Sequence, residues 1–586
     1  LKNINCTYRL FTILIIMWAV LLQANNGMAQ NLDQIGNSQP LKISGGLSVN
    51  QTFFQSNLSG NSRDPYALFL NGNLNFSIYG LSVPLSFAYS NQNFTYQQPF
   101  NQYGLSPTYK WATLHLGFRS MNFSKYTLGG HMFLGTGIDL APPGNFRVSA
   151  MYGRLRKAVA YDSTQSNNQP SYQRMAYGVK TSYRFAQSTI DFILFKSEDD
   201  QFSIEAPPLT TEITPEENLV LGMEGKTLFF KKLVFSYEYA NSIITRDKRA
   251  EQKQVAGGSF YQATDFWIAN KNSTSYHHAV NLKTAYSGSF YMIGLGYERV
   301  DPGYITHGSY YFNNDFENIT VNSGLKLLKN RLTLNTSLGT QRNNLEEDNL
   351  SSTRRFLGSV NTNMAISDKW TTGLNYSNFQ TFVNVRSAIE QLTETDPTVN
   401  LDTLNFTQIS ESLNLNSNYR FGSEKEQQHS LSINAAIQRA SEEQTYNENN
   451  AGSQFLNLNG AYSLSLSEKQ LSTSLSVNYS HSESMDITNQ IIGPGINVSK
   501  SFNDNQIRTT LGASYNLSYA DNVRNSEIVN LRLGGNYKLY ESHHFNLNAI
   551  LVSRNNTLGQ AANVNNIPAP DNIIDFTANL TYSYSF

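Results

Sequence analysis

The chain has 586 residues, and its 43 Lys and Arg against 44 Asp and Glu leave a net charge of −1, so it has no basic field to attract nucleic acid, which is excluded as a partner. Only 40% of the residues are hydrophobic, a soluble value on a helix scale, yet a transmembrane strand needs apolar residues on one face alone. Such a length ordinarily divides into several domains, but no Pro/Ser-rich linker or shift of composition separates any part after the N-terminus, and one large body accounts for that uniformity.

Residues 1–29 read as an export signal. Lys2 and Arg9 form a basic start, residues 10–22 are apolar apart from Thr12, and Gly27 and Ala29 place small side chains where a signal peptidase needs them. Cleavage is expected between Ala29 and Gln30, with export through the Sec route. The apolar run is too short to span a bilayer as a helix. Cys6 lies ahead of that run, so it is not the lipidated cysteine that follows a lipoprotein signal, and it leaves with the signal. The mature chain, residues 30–586, then has no disulfide, thiol or cysteine-metal chemistry. Strand-like sequence begins at Leu41, which leaves no room after Gln30 for an N-terminal plug or a soluble periplasmic domain.

From Leu41 one hairpin follows another. The exception is 94–128, where residues 100–107 are irregular and bounded by Pro99 and Pro107, neither of which can donate to a strand ladder. This region reads as an insertion into a lumen, or, over 121–128, as a short extra strand. Gly129, Gly130, Gly135 and Gly137 form an incomplete nucleotide fingerprint with no following helix, so they read as glycines where strands bend. The acidic stretch Glu198, Asp199, Asp200, Glu205, Glu212, Glu216 and Glu217 reads as a solvated loop, with divalent-cation or polysaccharide bridging as its alternative. Arg154, Arg156, Lys157, Arg246, Lys248 and Arg249 read as rim charges, with anion attraction as theirs. His277-His278 and His543-His544 cannot each close on one metal ion from within a strand, because neighbours face opposite sides. No Ser/His/acid set converges on a strand end, so neither an enzyme nor a cofactor is expected.

The strongest signal is alternation. Leu471, Thr473, Leu475, Val477 and Tyr479 interleave with Ser472, Ser474, Ser476, Asn478 and Ser480, and the same pattern recurs over 456–467 and 506–519. Over 576–586, Phe576, Ala578, Leu580, Tyr582, Tyr584 and Phe586 alternate with Thr577, Asn579, Thr581, Ser583 and Ser585. The polar rows are mostly uncharged hydroxyls and amides, which suit a wet lumen, while the apolar rows carry aromatics toward their ends, which suit interfacial girdles. Connections alternate as well. Those at 557–570, 442–452, 384–402, 343–350, 301–315, 245–273 and 198–217 are long, with moderate ones at 482–486 and near Asp521, and between them lie short turns near 540–542, 503, 468–469 and 367–369. This predicts an all-β fold: a single antiparallel transmembrane barrel with an even number of about 24 to 26 strands.

Over its whole mature length the chain resembles Gram-negative outer-membrane β-barrel proteins, and the Ala29-Gln30 junction and Asn-rich strands resemble those of Bacteroidota. The resemblance implies an outer-membrane location and contact with outer-membrane lipid. It also implies insertion by the barrel-assembly machinery, with Tyr582, Tyr584 and Phe586 as the assembly signal. The expected job is a polar-lined pore for transport or translocation, and the alternative is a barrel scaffold of a secretion complex sealed by a plug or secretion partner protein. A barrel this wide needs inserted loops or a partner to occlude it.

Overall fold

The computed structural model describes residues 41–58, 64–91, 101–161, 170–205, 213–253, 264–310, 312–346, 354–378, 381–384, 406–423, 426–440, 453–484, 487–556 and 572–586. Ala29, Gln30 and Glu212 lie outside these residues. Each strand pairs antiparallel with its neighbour in the chain, and Leu41–Ser56 pairs with Asn572–Ser585 from Gly46↔Ser585 to Ser56↔Asp575, which closes the sheet into a barrel. The 28 strand segments form 26 staves. Gln102–Leu105 and Thr108–Tyr109 share one place between Leu81–Ser90 and Ala112–Asn122, broken at Ser106 and Pro107. Trp370–Ser377 and Thr381–Asn384 likewise both pair with Phe406–Ser423. The described part of the irregular stretch before Pro107 therefore lies in the wall, whereas residues 123–128 leave it. No described helix is long and apolar enough to cross a membrane.

The two faces behave as alternation requires. Leu475, Val477 and Leu511 point outward with 52%, 56% and 57% of their surface exposed, a degree of apolar exposure that suits hydrocarbon rather than water. Their neighbours Ser476, Asn478 and Gly512 face the lumen. The ends differ too. At one end most connections are tight, and 540–541 turns through the left-handed region, with φ of 51° at Tyr540 and 57° at Glu541, which matches the twist of the strands it joins. The other end carries the long connections, with two corrections. Asp521 and Asn522 alone join Ile507–Ala520 to Val523–Leu539, at φ of 49° and 64°. Similarly, Leu471–Ser484 and Ile487–Phe502 extend into the segment that the spacing assigns to a loop.

The packed core sits to one side of the ring. Phe123, Tyr126, Leu128, Phe133, Phe195, Val220 and Tyr304 form one buried cluster. A smaller cluster lies on the outside of the wall, where Ile268 covers Leu219 and Ile243, with Trp267 and Tyr276 beside them.

Candidate functional site

Two inward segments of the loop end tie the barrel across. Gly129 N donates to Gly308 O at 2.8 Å, the Tyr304 hydroxyl to Tyr126 O at 2.6 Å, and Thr306 Oγ1 to Thr127 O at 2.6 Å. His131 stacks on Tyr310 with centroids 3.9 Å apart. Segment 123–128 precedes the stave Gly129–Leu140, and segment 301–310 follows the stave Tyr291–Val300, so the tie encloses a run of eight staves. The lumenal faces of that run and the tie together make the core described above. An eight-strand barrel is just wide enough to be filled by side chains, whereas 16 to 18 strands leave a water channel. The ring therefore divides into a lobe of eight staves plugged at the loop end and a remainder of 18 that lines the open lumen.

The lobe is locked by charge as well as by packing. Asp199 is completely buried and accepts Arg174 Nε at 2.7 Å, Arg174 Nη2 at 2.9 Å and Arg156 Nη2 at 3.0 Å. Arg174 Nη2 also donates to Glu216 Oε2 at 2.8 Å, and His307 Nε2 lies 3.1 Å from the same oxygen. Burial pushes the His307 imidazole down to about 4. Burial alone would raise Glu216, but His307 and Arg174 bring it down to about 2. Since His307 is neutral near pH 7, Arg174 is the charge that keeps Glu216 ionised there. Asp199, Glu216 and Arg156, which the sequence presents as loop and rim charges, are members of this internal lock. Arg174 and His307 are members that sequence reasoning missed, because only the inward loop brings position 307 to position 216.

The larger part of the lumen is lined by amides. Strand pairing aligns Asn335, Asn361, Asn375 and Asn414 in one row and Asn416, Asn434, Asn459 and Asn478 in another. Within these rows Asn361 Nδ2 donates to Asn375 Oδ1, and Asn459 Nδ2 to Asn478 Oδ1 at 2.5 Å. Each amide has a donor and an acceptor, so these two rows offer hydrogen bonds of both kinds without net charge.

The structure corrects one sequence reading outright, because two Ser/His/acid sets do converge. Ser197 Oγ lies 2.8 Å from His307 Nδ1, with Glu216 on the other ring nitrogen. Ser106 Oγ lies 3.0 Å from His115 Nδ1, and His115 Nε2 lies 2.8 Å from Asp139 Oδ2. The second set was within reach of the sequence, since alternation places His115 and Asp139 on the same face of adjacent strands. The first set is sealed inside the lobe, with Ser197 1% and His307 6% exposed, and no substrate reaches it there. The paired histidines behave as geometry demands. His278 stacks on Tyr239 on the outer face while His277 turns to Ser275 and Gly303. At the closing strand His543 packs against Tyr582 and Tyr584, and Phe586 meets Tyr584 edge-on at 4.7 Å.

No protein-family model matches the chain, and no curated protein matches it. Among solved structures it is similar to the translocation pore of the P pilus usher PapC, at 10% identity and a TM-score of 0.41, covering 93% of this chain and 100% of that one. It is also similar to a mutant of the ferric enterobactin receptor PfeA of Pseudomonas aeruginosa, at 11% identity and 0.36, covering 93% and 80%. A third is the FrpB iron transporter of Neisseria meningitidis, at 9% and 0.34, covering 92% and 82%. At these scores the likeness carries no residue-level correspondence.

Proposed function

We propose that this protein is an outer-membrane pore that moves polar solutes or chains across the bilayer through the part of its ring that the tie leaves open. One observation carries the reading: behind an apolar outer belt, 18 of the 26 staves enclose a lumen faced with amides and hydroxyls. The N-terminal segment with its Ala29-Gln30 junction supports Sec export, and the Asn-rich strands support an origin among Bacteroidota. With the tight turns placed in the periplasm, as in other barrels of this kind, the tie sits on the cell-surface side. Insertion falls to the barrel-assembly machinery, with Tyr582, Tyr584 and Phe586 as the recognised edge.

The test is conductance of the purified, heat-modifiable protein in planar bilayers. The expected result is steady single-channel steps of porin size. A folded barrel that is electrically silent, and that leaves native membranes in a stoichiometric complex with a second protein, would instead make it a sealed scaffold.

A further inference from the structure

The open Ser/His/acid set sits where the wall is broken. The stave formed by Gln102–Leu105 and Thr108–Tyr109 is interrupted at Ser106, whose N–H still donates to Pro84 O at 2.9 Å while its Oγ faces His115 on the lumenal side. Asp139 is an acceptor only, so the hydrogen on His115 resides on Nε2, facing Asp139 Oδ2 at 2.8 Å. That leaves Nδ1 free to accept from Ser106 Oγ at 3.0 Å. Asp139 is itself fixed by Ser149, whose Oγ donates to Oδ1 at 2.5 Å. This is the nucleophile, base and orienting acid of a serine hydrolase, recognised by geometry rather than by sequence order.

Two further observations separate it from the sealed set at Ser197. Ser106 and His115 line a cavity of about 440 Å³, and both remain partly exposed. Arg119 lines the same cavity: its Nη1 donates to Ser86 Oγ at 2.8 Å, while its buried Nε has no hydrogen-bond partner. A guanidinium lining the same cavity as the nucleophile suits a substrate that carries negative charge near its reacting centre.

We infer that Ser106, His115 and Asp139 form an esterolytic site on the lumen wall, selective for acyl esters bearing an anionic group. Ser106 Oγ attacks the ester carbonyl carbon and its proton passes to His115 Nδ1. His115 hands that proton to the alkoxy oxygen as its bond to the acyl carbon breaks, so an alcohol leaves and an acyl-Ser106 remains. Water then attacks the acyl carbon while giving a proton to His115, the bond to Ser106 breaks, and the proton returns to Oγ as the carboxylic acid departs. Asp139 is a positioning residue that holds the imidazole in the accepting tautomer.

The test uses the full-length folded barrel in detergent and a fluorophosphonate probe, with the labelled residue located by peptide mass. Attack by Ser106 forms an O–P bond, expels fluoride and sends the proton to His115. The expected result is one label per folded chain, on Ser106, abolished by Ser106→Ala and slowed about 100-fold or more by His115→Ala. Asp139→Asn should slow labelling and displace the midpoint of its pH profile, which a merely structural role would not do. Heat-modifiability confirms that each variant is folded. An unlabelled folded wild type, or a label carried by Ser197, would overturn the inference, and neither result bears on whether the barrel conducts.

Discussion

Removing the ring of Tyr304 should open the plugged lobe. This side chain is completely buried, with its ring 6.2 Å from Tyr126 and 5.1 Å from Phe312, and its hydroxyl donates to Tyr126 O at 2.6 Å. Truncating a buried aromatic to Ala costs about 3 to 5 kcal/mol, and the lost hydrogen bond adds about 1 kcal/mol. The two ring partners and the hydrogen-bond acceptor lie in the connections rather than in the strands, so Tyr304→Ala weakens the tie without unpairing a stave. Pore diameter grows roughly in proportion to stave number, so a change from 18 effective staves to the full 26 raises the cross-section, and with it the conductance, by at most about twofold. Single-channel recording in symmetric salt reads this directly. Tyr304→Phe keeps the packing, loses about 1 kcal/mol, and should stay close to wild type. If Tyr304→Ala is heat-modifiable yet conducts as wild type does, the tie does not limit the pore.

Acid should loosen the same tie. His307 titrates at about 4 when folded against an ordinary 6.5, so the opened state takes up the proton first, and stability that is complete above about pH 6.5 is lost as the pH falls toward 4, by on the order of 3 kcal/mol. Glu216, brought down to about 2 from 4.5, adds a loss only below about pH 4.5. Channel opening should rise between about pH 6.5 and 4.5 in wild type and stay flat in His307→Gln; equal responses would acquit the histidine. On the outer face, Leu511→Arg places a cation in hydrocarbon at about 2 to 4 kcal/mol near the midplane, whereas Ser514→Arg faces the lumen. Urea titration of the folded fraction should separate the two, and coincident curves would reverse the assignment of faces. Deleting Phe586, or combining Phe586→Asp with Tyr584→Asp, should lower the yield of heat-modifiable barrel far more than Ser585→Ala. Normal yields from the deletion would move the recognised edge elsewhere.

Much of the wall was legible because its physics is local. A period of two with neutral polar rows, as at Leu471–Ser484, determines which face meets lipid and needs no knowledge of neighbours. The turn of Asp521 and Asn522 was read too long because strands can extend over Ser and Asn that look like loop, and only pairing partners decide where they stop. The tie and its lock were illegible for a different reason. Asp199 and Glu216 sit in what reads as a solvated acidic run, and nothing near them in sequence announces that His307 and Arg174 will enclose them. Ser106, His115 and Asp139 fall between these cases: alternation gives the faces, but the break at Pro107 hid the register that aims the serine.

The bond from Thr52 Oγ1 to Asn579 Oδ1 joins strands 527 positions apart in the chain, across the seam that closes the ring. Closure over such a span is thermodynamically cheap, since each doubling of the enclosed length adds only about 0.6 kcal/mol. Its difficulty is one of timing. Until the last seam zips, the growing sheet presents two bare margins, 16 residues along one strand and 14 along the other, and such margins recruit other chains as readily as each other. Any helper that inserts this molecule would therefore have custody of two edges until the seam closes, rather than supply a driving force for the final structure.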